Sequence, residues 1–378
     1  MTITLRNWQR QALERYPSVQ YKGYVEVATG AGKTVFALEA AKLLQNDEQK
    51  LKILILVPSL TLLDQWYVIL QEHFGSSISD DFNGMNDIVI CTYSKALRRN
   101  EAILRFAEGW SLIILDEVHT LGAPMNRTIP VHLFRFRLGL SATPERRFDE
   151  SFTSFITEII GPLFYRYPLR DAIADDALAP YTSTNILVPL TSLEQAAVIK
   201  LSRSIALAMS LNDEERVKSC SLARAKVIRR AVARVPISVR LAIEVAPQKT
   251  LIFFEDIDMA RKCNETCTRK GLDTALYHSQ MTKSARRQAL TNFQFGLTTA
   301  LIACRALDEG FDEPSASVAI IGAGSSSSRQ RVQRIGRVLR KAPGKAEAMV
   351  FSLYASKMEQ QLLETDKAAI WKKVNFNA

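Results

Sequence analysis

The sequence is poor in cysteine. Its 378 residues hold five, Cys91, Cys220, Cys263, Cys267 and Cys304, too few and too scattered for a disulfide framework. Cys263 and Cys267 lie four apart on an expected helix face. No second Cys/His pair completes a zinc site beside them, and reduced, half-buried thiols are the simpler account. No apolar run reaches the roughly 18–20 residues that a membrane span needs. The first residues, Met1-Thr2-Ile3-Thr4-Leu5-Arg6, lack the charged-then-apolar layout of a signal peptide. Low-complexity tracts are missing too. These absences argue against a secreted disulfide scaffold or a membrane protein, and the expectation is a soluble, cytoplasmic chain. Acidic residues are also in deficit: 49 Lys and Arg against 39 Asp and Glu leave a net charge of +10. That balance suits a polyanionic partner such as nucleic acid.

What is present is a globular composition, 47% apolar and 23% charged, in a chain with room for two domains. A short apolar stretch (Tyr24, Val25, Val27) is followed by Ala28-Thr29-Gly30-Ala31-Gly32-Lys33-Thr34 and then by a helical pattern, Val35 to Leu44. Strand, glycine turn and helix are the context that a phosphate-binding loop requires. The glycines let N–H groups curl around phosphate oxygens, and the helix N-terminus adds partial positive charge. Lys33 would reach the β- and γ-phosphates, and the Thr34 hydroxyl would ligate Mg²⁺. The first position of the general pattern, normally Gly, is Val27. A turn with a plain helix cap gives the same Gly-x-Gly, so the rest of the chain must decide.

Upstream, Leu5 to Leu13 opens a short amphipathic helix. By itself it would pack Leu5, Trp8 and Leu13 inward. Beside a nucleotide loop, the Gln9 amide suits an adenine edge, matching its donor and its acceptor. Downstream, Leu51 to Val57 is a near-continuous apolar run, the mark of a buried parallel strand. Pro58 and Ser59 leave it, and a helix through Gln65 and Trp66 follows. Asp87 to Cys91 is another strand, followed by Thr92-Tyr93-Ser94-Lys95. Both exits suit phosphate contacts and are equally ordinary helix caps.

Ser111 to Leu115 runs into Asp116-Glu117-Val118-His119. Asp116 at a strand tip would hold Mg²⁺ through water, and Glu117 would polarise the attacking water. The alternative is a pair of solvated acids. Phe136 to Leu140 is a further strand, ending in Ser141-Ala142-Thr143-Pro144. Alternation to about residue 150 describes a doubly wound α/β domain, whose ligands bind at the carboxyl ends of its strands. Each candidate motif falls at such an end.

From 151 to about 247 the pattern changes. Phe152 to Pro168 is aromatic and irregular, Ile186 to Leu190 is strand-like, and a long helical region runs from Ser192 to Val245. Between 192 and 247 stand ten Lys/Arg against five Asp/Glu, a helical insert gripping a phosphate backbone or a solvated basic face. From Thr250 the alternation restarts, with strands at 250–254, 276–279, 300–304, 316–321 and 348–353. Arg331, Arg334, Arg337 and Arg340 then repeat every third residue. Part of that row shares a helix face, where repulsion is costly unless an anion lies opposite. A triphosphate is one such anion.

Taken together, these stretches resemble a superfamily 2 helicase core over nearly the whole chain. Gln9 matches the Q motif, 27–34 motif I, 57–66 motif Ia and 92–95 motif Ib. Asp116 to His119 is a DExH form of motif II, and Ser141 to Pro144 matches motif III. Phe253-Phe254 matches motif IV, Asp308 to Asp312 motif V and Gln330 to Arg340 motif VI. The stretches 139–144 and 333–340 look most similar to the XPB, UvsW and RadD-like duplex-DNA translocases and to restriction-enzyme motors. DEAD-box RNA helicases carry Asp where this chain has His119, and usually His at Gln333.

The resemblance implies an α/β fold of two tandem RecA-like parallel-sheet domains with a small helical insert between them. Its divisions would be 1–165 (ATP-binding), 166–247 (linker and basic insert) and 248–378 (second RecA-like domain). It implies ATP and Mg²⁺ held between the two domains by Gln9, Thr29, Gly30, Ala31, Gly32, Lys33 and Thr34. Gly310 and Asp312 would lie near the ribose, and Thr34 and Asp116 would hold the metal. Catalysis would fall to Lys33, Asp116, Glu117, Gln333, Arg337 and Arg340, the last two as arginine fingers. His119, Ser141 and Thr143 would couple hydrolysis to movement. Pro58, Ser59, Gln65, Thr92, Tyr93 and Arg305 would touch the DNA backbone without reading bases.

The implied activity is an ATP-dependent helicase or translocase on duplex or branched DNA, in recombination, repair or replication. The alternatives are a motor subunit of a restriction, defence or remodelling complex and, third, an RNA helicase. The chain reads as little more than the motor, in line with a phage or mobile-element origin and a bacterial or phage-infected cell. Glu117→Gln is expected to bind ATP and fail to turn it over. Normal turnover in that variant would remove the role given to Glu117.

Overall fold

Short apolar runs with no polar alternation cannot leave a face in water, so they become inner strands covered on both sides. The computed structural model follows that rule. It describes residues 4–45, 50–74, 78–82, 86–142, 150–304, 313–323, 328–364 and 369–373. They fall into two compact units, one up to Leu178 and one from Ala179.

The first unit holds β1 (Lys22–Val27), β2 (Lys52–Val57), β3 (Ile78–Ser79), β4 (Ile88–Thr92), β5 (Ser111–Leu115), β6 (Phe136–Ser141) and β7 (Leu163–Tyr167). They form one sheet in the order β3-β4-β2-β5-β6-β1-β7, and every pairing is parallel. Leu54 to Val57 and Leu112 to Leu115 are fully buried at its centre. Parallel neighbours require a crossover each time, so the strand exits collect along one edge.

The second unit holds β8 (Tyr181–Leu187), β9 (Thr250–Phe254), β10 (Thr274–His278), β11 (Ala300–Cys304), β12 (Val318–Ile321), β13 (Ala348–Tyr354) and β14 (Ile370–Lys373). Its order is β10-β11-β9-β12-β13-β8-β14, again all parallel. The two parallel α/β sheets agree with the RecA-like expectation. No helix of the described residues is long and apolar enough to cross a membrane.

The structure corrects the sequence expectation between 151 and 247. The aromatic stretch is a helix, Glu150–Ile159, followed by β7. Gly161 permits the turn between them: its φ is 121°, and a Cβ there would lie 2.2 Å from the Lys22 carbonyl oxygen. The strand-like run at 186–190 starts earlier, at Tyr181, and pairs with β13 from Tyr181–Ala348 to Leu187–Tyr354. The long helical region is three helices, Ser192–Ser210, Glu214–Arg229 and Arg234–Glu244. The first break has a local cause. Asn212 takes a left-handed φ of 53°, and the Asp213 carboxylate caps the next helix by accepting from the Arg216 N–H.

The expected divisions at 165 and 247 therefore move. Strand β8 lies inside the second sheet, and Val235, Ile237, Val239 and Leu241 share a core with Ile252 and Phe254. The segment that looked like an insert belongs by its packing to the second unit. Several of its basic residues are also committed there. Arg230 binds Asp256 and Asp258, and Arg240 binds Glu244.

Arg234 is fully buried. Its guanidinium donates to the carbonyls of Ile228, Gly322 and Leu353 at 2.9–3.0 Å, and to both Glu359 oxygens at 2.8 Å. Removing one partner of such a pair strands the other. Arg234→Met is expected to lower stability by about 3–5 kcal/mol in urea unfolding, with the secondary structure of the folded state retained by circular dichroism.

Candidate active site

The loop after β1 owes its shape to two glycines. Gly30 and Gly32 hold φ values of 85° and 99°, where side chains with a Cβ are strained. Gly32 caps the helix Lys33–Lys42 with no side-chain bond. The first-turn N–H groups of a helix have no intrahelical acceptor, and the helix dipole makes that end attractive to anions. The loop's carbonyls are held by the N-terminal helix Asn7–Arg15. Ala31 O accepts from Trp8 Nε1 and from Arg6 Nη1, both at 3.1 Å. Gly32 O accepts from Gln9 Nε2 at 2.9 Å. The Thr29 hydroxyl is buried with no protein partner among the described residues, a polar group suited to a ligand oxygen.

Strand β5 delivers the acids. Asp116 continues the sheet through its N–H to Leu56 O at 2.9 Å and is 6% exposed. Its carboxylate accepts from Trp66 Nε1 at 2.8 Å and from the Glu117 N–H at 3.0 Å, while its carbonyl accepts from the Tyr93 hydroxyl at 3.0 Å. Burial raises the Asp116 pKa, and neighbouring Glu117 pushes the same way. Lys33 and the two N–H donors pull it back. A divalent cation there would relieve the same penalty.

Glu117 has φ 49° and ψ 57°, a left-handed conformation that costs a residue with a Cβ about 1–3 kcal/mol. The twist aims its carboxylate at two groups, Lys33 Nζ at 3.5 Å and His119 Nδ1 at 3.3 Å. The Lys33 contact is at the limit of a hydrogen bond, loose enough for the ammonium to turn toward an arriving phosphate. At the end of β6, Ser141 is buried and sits opposite Glu26 in the β1 register. Thus Thr29, Lys33, Asp116, Glu117, His119 and Ser141 all emerge on the exit edge of one sheet. The donor set fits a Mg-nucleotide: an ammonium, a helix N-terminus and an unpaired hydroxyl for phosphate, with a buried carboxylate for the metal.

In the second unit, the arginines of the helix Ser328–Val338 divide. Arg334 is 1% exposed, donates to Glu255 at 2.6 Å and lies over the Phe253 ring at 5.4 Å. Its anion is in its own unit, which sets it apart from Arg337 and Arg340, the two expected as arginine fingers. Arg331 reaches Ser352 Oγ at 3.4 Å. Arg337 is buried, and burial brings the pKa of half-buried Arg340 down to about 10, still charged at neutral pH.

One further expectation is corrected. Tyr93 is 2% exposed and supports the Asp116 peptide, so it does not face nucleic acid. Gln9 is also 2% exposed. Its amide oxygen takes the Arg6 N–H at 2.8 Å and its nitrogen donates to the Gly32 carbonyl at 2.9 Å, which commits one lone pair and one N–H of the amide. Thr92 and Ser59 accept from Lys95 N and Leu62 N, as helix caps do, and Pro58 and Gln65 are half-buried. Thr143, Pro144, Arg305, Asp308, Gly310 and Asp312 lie outside the described residues, as does the side chain of Gln333. Sequence reasoning missed Trp66 as the donor to Asp116. No local signal marks a contact between residues fifty positions apart.

Two family models match the chain: "Type III restriction enzyme, res subunit" over residues 2–146 and "Helicase conserved C-terminal domain" over 236–342. The DNA 3'-5' translocase XPB2 of Sulfurisphaera tokodaii is 29% identical over 90% of this chain and 79% of its own length. A putative DNA 3'-5' helicase Rad25 of Haloarcula marismortui is 28% identical over 90% of the chain but 51% of its own length. The chain thus spans between about half and four-fifths of these relatives. Among solved structures, the type ISP restriction-modification enzyme LlaBIII bound to DNA shares the fold. Its TM-score is 0.67 at 17% identity, covering 99% of this chain and 32% of that one.

Trp66→Phe keeps a ring in place and removes only the donor to Asp116. Hydrogen bonds to charged groups contribute about 1.5–3 kcal/mol. Titration calorimetry is therefore expected to show Mg-nucleotide affinity reduced by roughly tenfold or more, with no change in the far-ultraviolet spectrum.

Proposed function

We propose that this chain, which belongs to the superfamily 2 helicases and translocases in their XPB-like group, is an ATP-dependent DNA translocase acting on duplex or branched DNA. One observation carries the reading. The glycine loop and the acid pair Asp116–Glu117 meet on a single sheet edge, with Lys33 Nζ 3.5 Å from Glu117 Oε1.

In this reading Lys33 and the N–H groups of the loop hold the triphosphate, and Thr34 and Asp116 hold Mg²⁺. The metal, when bound, supplies charge neutralisation across the phosphate oxygens. Glu117 orients the attacking water and takes its proton. His119 and Ser141, in contact with that acid or one strand away, report hydrolysis to the rest of the motor, with Thr143 assigned the same role. Arg337, Arg340 and Gln333 are given the transition-state role, Gly310 and Asp312 the ribose, and Arg305, Pro58, Ser59, Gln65 and Thr92 the DNA backbone. The printed names of the relatives support DNA and 3'-5' polarity, and His119 supports DNA over RNA. The name of the family model over 2–146 supports a second reading, a motor subunit of a larger restriction or remodelling complex.

ATP turnover measured alone and with single-stranded DNA, linear duplex, a four-way junction and RNA tests the proposal, with Lys33→Ala as the inactive control. Duplex or junction DNA is expected to stimulate most. Binding should weaken steeply with salt, because phosphate contacts release counterions. Stimulation by RNA alone would overturn the placement, and indifference to every nucleic acid would favour the subunit reading.

A further inference from the structure

The last carbonyls of a helix have no intrahelical donor, and the chain beyond them turns freely unless something holds it. Arg340 stands two residues past the end of the helix Ser328–Val338, in that exposed position. Two donors hold the backbone there. Leu339 O accepts from the Ala179 N–H at 2.7 Å, and Arg340 O accepts from Lys345 Nζ at 2.8 Å.

Lys345 does more than a helix-capping cation needs to do. Its ammonium also donates to Pro314 O at 2.9 Å and to Ala316 O at 2.6 Å. An ammonium carries three N–H donors and no acceptor, so its bonding capacity is matched by carbonyls from two segments far apart in sequence. Gly344, with φ 78°, and the bond from Lys345 N to Ala342 O at 3.1 Å make the turn that brings the lysine back.

The far segment is itself anchored. Glu313 accepts from Lys249 Nζ at 3.5 Å and from the Ser315 N–H at 3.3 Å. Ala316 is fully buried, and the Ser317 N–H donates to Lys249 O at 3.0 Å, where the chain enters β12. Glu313 also follows directly on Asp312, the residue given the ribose. Burial and the Arg340 charge bring the Lys345 pKa down to about 8, with Glu313 pushing the other way. The ammonium form therefore prevails at neutral pH, although a half-buried cation beside a second one is costly.

We propose that Lys345 is a positioning residue for Arg340, holding the backbone from which the guanidinium projects by fastening the Arg340 carbonyl to those of Pro314 and Ala316. This tie rests on the transition-state role given to Arg340 above. Its effect falls on the chemical step, since a group that acts only in the transition state leaves ground-state binding alone.

The experiment is single-turnover ATP hydrolysis with duplex DNA at neutral pH, reading the maximal rate and the half-saturating ATP concentration. It compares the wild-type chain, Lys345→Met, Arg340→Ala and the double variant, with melting temperatures for each. Lys345→Met keeps an apolar stem without the ammonium. Lys345→Gln, with two donors and no charge, replaces it if that variant does not fold. The lysine substitution is expected to lower the maximal rate about ten- to a hundredfold, with half-saturation unmoved. In the Arg340→Ala background it is expected to change the rate by less than about twofold, because its route to the chemistry has gone. Losses that multiply in the double variant would show that Lys345 acts without Arg340, and would overturn the tie. A lower melting temperature with the maximal rate per folded molecule intact would overturn it too, leaving a fold stabiliser. A normal rate in Arg340→Ala would instead remove the transition-state role on which the tie rests.

Discussion

Every pairing in the first sheet is parallel, and the site follows from that constraint. Parallel strands cannot be joined by tight turns, so each crossover returns the chain to the entry edge and each strand exits on the opposite one. The exits of β1, β5 and β6 lead to Lys33, Asp116 and Ser141, which share one edge of the sheet although more than a hundred residues separate the first from the last. The order β4-β2-β5 within the sheet explains the less expected contacts. The exits of β2 and β4 lie first and second from β5 on one side of it, which is why Trp66 and Tyr93 both end on Asp116. Trp66 thus bonds the carboxylate assigned to the metal, and Tyr93 bonds the carbonyl of the same residue.

Two adjacent carboxylates withdrawn from water repel each other and resist ionisation. The structure lowers that cost with one ammonium and with N–H donors, but only in part, since Asp116 keeps a raised pKa. The strained backbone of Glu117 holds its carboxylate between Lys33 and His119. Strain of this kind persists where surrounding structure enforces it, and here the fixed ends of β5 supply that enforcement. Such a site favours added positive charge near Asp116 and accepts movement of Lys33 at small cost.

In the second unit, arginines of similar appearance do different work. Arg234 and Arg334 are internal, each closed by a carboxylate, Glu359 and Glu255. Arg234 also fixes the Gly322 carbonyl at the end of β12, tying the start of the helix Arg234–Glu244 to the strand that precedes the helix Ser328–Val338. Arg340 keeps its charge despite burial. A run of basic residues is therefore not a surface by virtue of its spacing. Burial and the nearest carboxylate decide.

The sequence alone determined the two blocks of β/α alternation and the places where chemistry would lie, because those signals are local. A five-residue apolar run such as Ile53–Val57, a Gly-x-Gly turn before a helix, and acids at a strand tip each carry their meaning within a few residues. The tertiary structure decided whatever depends on what stands opposite. Strand β7, Leu-Phe-Tyr-Arg-Tyr, lay within an aromatic stretch, and only the Ile186-Leu187 end of β8, Tyr-Thr-Ser-Thr-Asn-Ile-Leu, announced a strand. Their sheet was fixed by pairing with β1 and β13. The inward turns of Gln9, Tyr93 and Arg334 were likewise set by Gly32, Asp116 and Glu255. A polar side chain takes the partner that burial brings within reach, and no local periodicity encodes that partner.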